Sequence, residues 1–163
     1  MSHSVTVTRT TTTTTTSAIL INTGYFKAVP GLLKLGQVIL GTIIIGLVAT
    51  TLSRYNNYYY SGSEELFFFV TACACLIATG CLLISCLLSI STASIISKTI
   101  FELVYHGVAF VLYLIASALA MVHSTGSNKR HDSLYLTAAI LGLFNTILYL
   151  ASTILAFKSY RGG

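Results

Sequence analysis

Apolar residues in this chain run on without a polar face to interrupt them. Four stretches contain no Asp, Glu, Lys or Arg: Leu35–Ser53, Leu66–Ser97, Leu103–Asn128 and Ser133–Phe157. A bilayer's hydrocarbon core is about 30 Å thick and takes about 20 helical residues to cross. Each stretch reaches that length or falls one residue short of it. A helix lying on a soluble core would keep one broad polar side, and none of these does. The pattern predicts four membrane-spanning helices at about 31–53, 66–92, 100–122 and 133–157. Their short polar connections predict an all-α membrane protein, an antiparallel up-down-up-down four-helix transmembrane bundle. Pro30 stands just ahead of the first span, where it can open a helix without breaking one.

Lipid tails are as apolar as leucine, so helices in a bilayer associate through close approach at small residues and through interhelical hydrogen bonds. Such residues recur at three- and four-residue steps. In the second span they are Thr71, Ala74, Ala78, Cys81 and Ser85; in the third, Glu102, His106, Ala109, Tyr113, Ala116 and Ala120. In the fourth they are Ala138, Gly142, Asn145, Tyr149, Ser152 and Ala156, with a weaker series Gln37, Gly41 and Val48 in the first. A sustained 3,4 repeat fits left-handed packing at shallow angles, polar groups inward. Ser85 and Ser89, left over on the second span, are candidates for lateral contacts with other helices.

Lys98, Glu102 and His106 lie four residues apart and share one face at the start of the third span. A carboxylate at the edge of hydrocarbon needs a partner, and Lys98 and His106 are the local candidates. The set reads as a boundary salt bridge that orients the helix. A proton relay or ion site is the sharper alternative, but no second carboxylate continues a path through any span. Glu102→Ala is accordingly expected to cost on the order of 1–2 kcal/mol of stability.

Composition supports the same picture. Apolar residues make up 55% and charged residues 8%, against about 25% charged in a soluble domain. The net charge of +5 has meaning by position. With an even number of spans both termini share a side, which holds six of the nine basic residues: Arg9, Lys27, Lys34, Lys98, Lys158 and Arg161. Positive residues collect in the cytoplasm, so both termini are expected there. The opposite side holds Arg54, Lys129 and Arg130. No signal-peptide pattern precedes the first span. No basic cluster with interleaved aromatics points to nucleic acid.

Outside the spans, residues 1–24 read as a disordered Ser/Thr-rich cytoplasmic tail with seven consecutive threonines, Thr10–Thr16, and residues 158–163 as a short cytoplasmic tail. Tyr25, Phe26, Lys27 and Lys34 suit the headgroup zone, as does the tyrosine cluster Tyr55, Tyr58, Tyr59 and Tyr60 of the first loop. All four cysteines, Cys73, Cys75, Cys81 and Cys86, fall in the second apolar run, so no disulfide-stapled outer domain is expected. Cys73 and Cys75 point to different sides of a helix, which suits neither a redox pair nor a zinc site. No hydrolase, zinc-protease, phosphate-loop or dinucleotide motif occurs. The residues thus predict no enzyme, cofactor or metal.

Taken in order, several segments resemble the MARVEL membrane-domain proteins. They are Val29-Pro30-Gly31-Leu32-Leu33-Lys34-Leu35 at the first span, Phe101-Glu102-Leu103-Val104-Tyr105 with Tyr113-Leu114-Ile115-Ala116-Ser117 in the third, and Ala138-Ala139-Ile140-Leu141-Gly142 in the fourth. Within that family the likeness is to the chemokine-like-factor-type and plasmolipin-like members, insect-type ones included, over about residues 25–160. The CCG-bearing loop of tetraspanins and the Trp/Cys loop of claudins are absent. The resemblance implies a non-enzymatic protein of the plasma membrane or transport vesicles. Its expected work is organising membrane microdomains in vesicle trafficking, membrane apposition or fusion. Implied partners are membrane lipids, sterol-rich lipid among them, further copies of the chain, and single-pass membrane proteins for which it could act as a stabilising companion. A third, conducting role would depend on Glu102 or His106.

Overall fold

The computed structural model describes residues 22–54, 63–125 and 133–162. The Thr-rich tail, the tyrosine cluster of the first loop and the Lys129-Arg130 pair lie outside the described residues. A 3₁₀ turn, Thr23–Lys27, leads into α1 (Val29–Arg54); α2 spans Ser63–Leu88, α3 Ile90–Ile96, α4 Ile100–Thr125 and α5 Ser133–Arg161. Helices α1, α2, α4 and α5 are each long and apolar enough to cross a membrane.

The 32-residue apolar run Leu66–Ser97 does not stay one helix. Ser89 adopts an extended conformation (φ −146°, ψ 119°), and its hydroxyl accepts the Thr92 N–H at 3.2 Å. That is an N-cap, which a serine supplies readily because its oxygen satisfies a backbone donor of the next helix. The run therefore divides into one span and the two-turn α3, none of whose residues is buried. Ser85 and Ser89 consequently do not form one continuous helical face. Ser85 is exposed and donates to the Cys81 carbonyl at 2.7 Å.

Contacts between helix ends fit the alternating order. The Asn22 N–H donates to the Leu87 carbonyl at 2.8 Å, so the start of α1 meets the end of α2. Gln37 near the start of α1 reaches Ser152 near the end of α5. At the other end Phe68 of α2 and His123 of α4 both pack edge-on against Tyr135 of α5, and His123 Nδ1 lies 3.9 Å from the Glu65 carboxylate.

The core sits where α4 packs on α5 and α1 on α2, with α1 also against α5 and α2 against α4. Alanines at 109, 116, 120, 138 and 139 are buried there alongside Ile44, Val48, Phe68 and Ala72. Their short side chains let the backbones approach, which is how membrane helices gain dispersion energy. On α4 and α5 the buried series contains every residue named from the 3,4 pattern. On α2 it does not. The inward face is Phe68, Thr71, Ala72, Cys75, Thr79, Leu82, Leu83 and Cys86, while Ala74, Cys81 and Ser85 face outward. The outer surface is apolar, with Ile39, Ile77, Ile84, Val104, Ile147 and Ile154 exposed.

Candidate functional site

The polar groups of the spans are gathered inside the bundle, and the largest cluster lies at the end where α1 and α4 begin. Lys34 sits on the face of α1 that continues through Gln37, Gly41, Ile44, Val48 and Thr51, all buried. Three- and four-residue steps carry that stripe, so a helix that buries Gln37 must bury Lys34 as well. The Lys34 ammonium pairs with the Glu102 carboxylate of α4. Both residues are enclosed, at 2% and 5% exposure. The ammonium also donates to the Tyr25 hydroxyl at 3.0 Å. Burial raises the Tyr25 phenol above its ordinary range, with the Lys34 charge pulling the other way. The phenol is therefore neutral near pH 7 and accepts from the lysine.

Tyr25 is placed by the 3₁₀ turn, which folds back over the start of α1. Gly31 makes that fold possible: a Cβ there would overlap the Tyr25 carbonyl, lying 2.9 Å from its carbon. The partner of Glu102 is thus Lys34 on another helix. Lys98, expected from its spacing, is exposed in the turn that precedes α4. His106 does not pair with the carboxylate either. Its Nδ1 stands 2.8 Å from the Glu102 backbone carbonyl. A carbonyl can only accept, so Nδ1 carries a proton and donates to it, which leaves Nε2 as the ring's free nitrogen. That Nε2 is buried and has no hydrogen-bond partner among the described residues.

Above the ion pair the interior is polar for a further two turns. Gln37 Nε2 donates to Ser152 Oγ at 2.8 Å. Thr79 Oγ1 lies 2.6 Å from the Tyr105 hydroxyl and 2.7 Å from the Tyr149 hydroxyl, and Tyr105 donates to the Cys75 carbonyl at 3.1 Å. Each hydroxyl has one proton, so with Tyr105 making the shorter bond to the Cys75 carbonyl (3.1 Å, against 3.5 Å from Tyr149), Thr79 donates to Tyr105 and Tyr149 to Thr79. This relay ties α2, α4 and α5 together. Thr79→Val removes its middle member while preserving shape, takes a partner from the buried Tyr149 and the half-buried Tyr105 hydroxyls, and is expected to cost about 1–3 kcal/mol in thermal unfolding.

Tyr113 stacks on Tyr149 with ring centroids 5.4 Å apart. Its hydroxyl, both amide atoms of Asn145 and the Ser117 hydroxyl are buried without partners among the described residues. Of the residues singled out from sequence, Glu102, His106, Tyr113, Asn145 and Tyr149 all lie in this interior, whereas Lys98, Ser85 and Ser89 do not. Lys34, Gln37, Thr79 and Tyr105 complete it. The arrangement can lock four helices in register. Its acid and base, Glu102 and Lys34, neutralise one another, and the His106 ring is held to its own helix.

Comparison with known proteins agrees with this architecture. The MARVEL membrane-associating domain matches residues 25–155. Plasmolipin of Danio rerio is 27% identical over 143 residues, covering 87% of this chain and 78% of its own length. No solved structure matches the chain.

Proposed function

Because the chain belongs to the MARVEL membrane-associating family, we propose that it is a non-enzymatic organiser of membrane microdomains, serving vesicle trafficking, membrane apposition or fusion at the plasma membrane or on transport vesicles. The observation that carries this reading is how the polar side chains are disposed. They turn inward and are spent on holding the bundle, while isoleucine, valine and leucine cover the outside. A protein so built meets its surroundings through lateral contact with lipid and other helices, and through its ends. The likeness to plasmolipin supports it as well. The basic residues at the end where α1 and α4 start support a cytoplasmic position for that end and for both termini under the positive-inside rule.

A second reading, a companion that holds the helix of a single-pass receptor, draws on the outward face of α2. Ala74, Cys81 and Ser85 are exposed there, and a Cβ at Gly80 would touch nothing within 4 Å. Low relief of that kind admits another backbone closely. Purification of the full chain from its native membranes in mild detergent, with mass spectrometry of proteins and lipids, separates the two. The organiser predicts self-association and an enriched lipid class. A stoichiometric single-pass protein, lost when Cys81 is replaced by Phe, would instead establish the companion role.

A further inference from the structure

We propose that the basic end of the bundle binds the phosphate headgroup of an anionic phospholipid at the mouth of a pocket between the start of α1, the start of α4 and the end of α5. The pocket, about 50 Å³, is lined by Pro30, Lys34, Ser97, Glu102, Ser152, Leu155, Ala156 and Ser159. Its floor is the Lys34–Glu102 pair, which is neutral as a unit and presents no net negative charge. Its rim is positive. Lys98 follows Ser97 in the chain and Lys158 precedes Ser159, and both lysines are exposed, as are Lys27 and Arg161. Arg161 bends back with its guanidinium carbon 5.4 Å from the Phe157 ring centroid.

Among the described residues, five cations at this end face a single carboxylate, whereas the opposite end carries Arg54 with Glu64 and Glu65. The described residues thus favour an anion at this end. Hydroxyls and lysine ammoniums at the rim are the donors a phosphate diester takes.

The surroundings select a lipid over a free phosphate. Helix α3 buries none of its residues and leads into Lys98, with Ile95, Ile100 and Phe101 exposed around that lysine. Those side chains belong in the acyl region just below the headgroups, with the ammonium above them. On the other flank Val29, Leu32, Ile154 and Phe157 are exposed beside the pocket and offer a path for acyl chains. The proposal goes beyond the organiser reading by naming a lipid class, and it depends on that reading only in that the helices span a bilayer.

The test uses the full chain in phosphatidylcholine vesicles doped with a photoactivatable phosphatidylserine or with the matched photoactivatable phosphatidylcholine, and labelled peptides are read by mass spectrometry. The serine lipid should label peptides containing residues 29–34, 95–102 and 152–161 at least about fivefold above the choline lipid, since one cation near an anionic surface is worth about that factor. The excess should disappear in Lys98→Gln/Lys158→Gln/Arg161→Gln, whose side chains are exposed and not needed for packing. Equal labelling by the two lipids, or an unchanged excess in the triple variant, overturns the proposal. Abolition by millimolar inorganic phosphate would overturn the lipid assignment in favour of a free anion. Mid-span peptides should label equally with both lipids, and failure there would refute insertion itself rather than the headgroup site.

Discussion

Replacing Glu102 by alanine is expected to lower the stability of the bundle by about 3–5 kcal/mol, the cost of stranding one member of a buried ion pair, seen as a fall in the thermal unfolding midpoint in detergent. A boundary salt bridge would lose on the order of 1 kcal/mol, because water solvates the abandoned partner. Position decides between these magnitudes. Lys34 is 2% exposed and Glu102 5%, so neither charge is left in water when the other is removed. The neighbouring Tyr25 hydroxyl offers Lys34 one neutral acceptor, too little to replace a carboxylate. Glu102→Gln keeps an acceptor for the ammonium and should fall between wild type and alanine. The sequence-based expectation of about 1–2 kcal/mol rests on a boundary salt bridge with a local partner, whereas the structure pairs Glu102 with the buried Lys34 of another helix.

The second large effect is expected at Gly142. A methyl group there would overlap the Ser117 hydroxyl and come within 2.9 Å of Phe68 Cζ, where α5 packs on α4 and the Phe68 ring reaches in from α2. Alanine is the better helix former by about 1 kcal/mol, so propensity alone predicts stabilisation. Overpacking opposes it at about 1–3 kcal/mol. The ring of Phe68 is wedged against Tyr135 and cannot swing clear, so overpacking should win and Gly142→Ala should melt at a lower temperature. Ser117→Ala removes the nearer obstacle, and combined with Gly142→Ala it should recover part of the loss. Gly46 gives the control: a Cβ there meets nothing within 4 Å, and Gly46→Ala should be neutral or slightly stabilising.

These two sites also mark what the chain reveals before its structure is seen. Four spans could be read from apolar length alone, because a bilayer fixes how many residues a helix needs. The packed faces of α4 and α5 were legible too, since polar or small residues fall on one stripe and bulky aliphatics on the other. On α2 two stripes compete. Ala74, Cys81 and Ser85 are as small as Thr71, Ala72 and Cys75, and in lipid both faces are apolar, so hydropathy cannot choose. Shape complementarity chose the face bearing Phe68 and Thr79, and that information lies in the partner helices.

Lys34 illustrates a different limit. Next to Phe26 and Lys27 it reads as one more interfacial lysine, snorkelling outward. Its phase with Gln37, Gly41 and Val48 was the available signal that it turns inward. Recognition of Glu102 as its partner requires α1 and α4 to face one another across the interior of the bundle, which spacing within either helix cannot report. The cap at Ser89 was hidden for a simpler reason: serine is tolerated inside a membrane helix as readily as it ends one.

The account stands on the pairing of Lys34 with Glu102 across two spans, and a double-mutant cycle in thermal unfolding measures it directly. Lys34→Met and Glu102→Leu should each destabilise strongly. The double variant, which leaves no buried charge behind, should be more stable than the sum of the single losses predicts by at least about 2 kcal/mol. Losses that simply add would mean that the two charges do not meet inside the bundle, and would contradict the account.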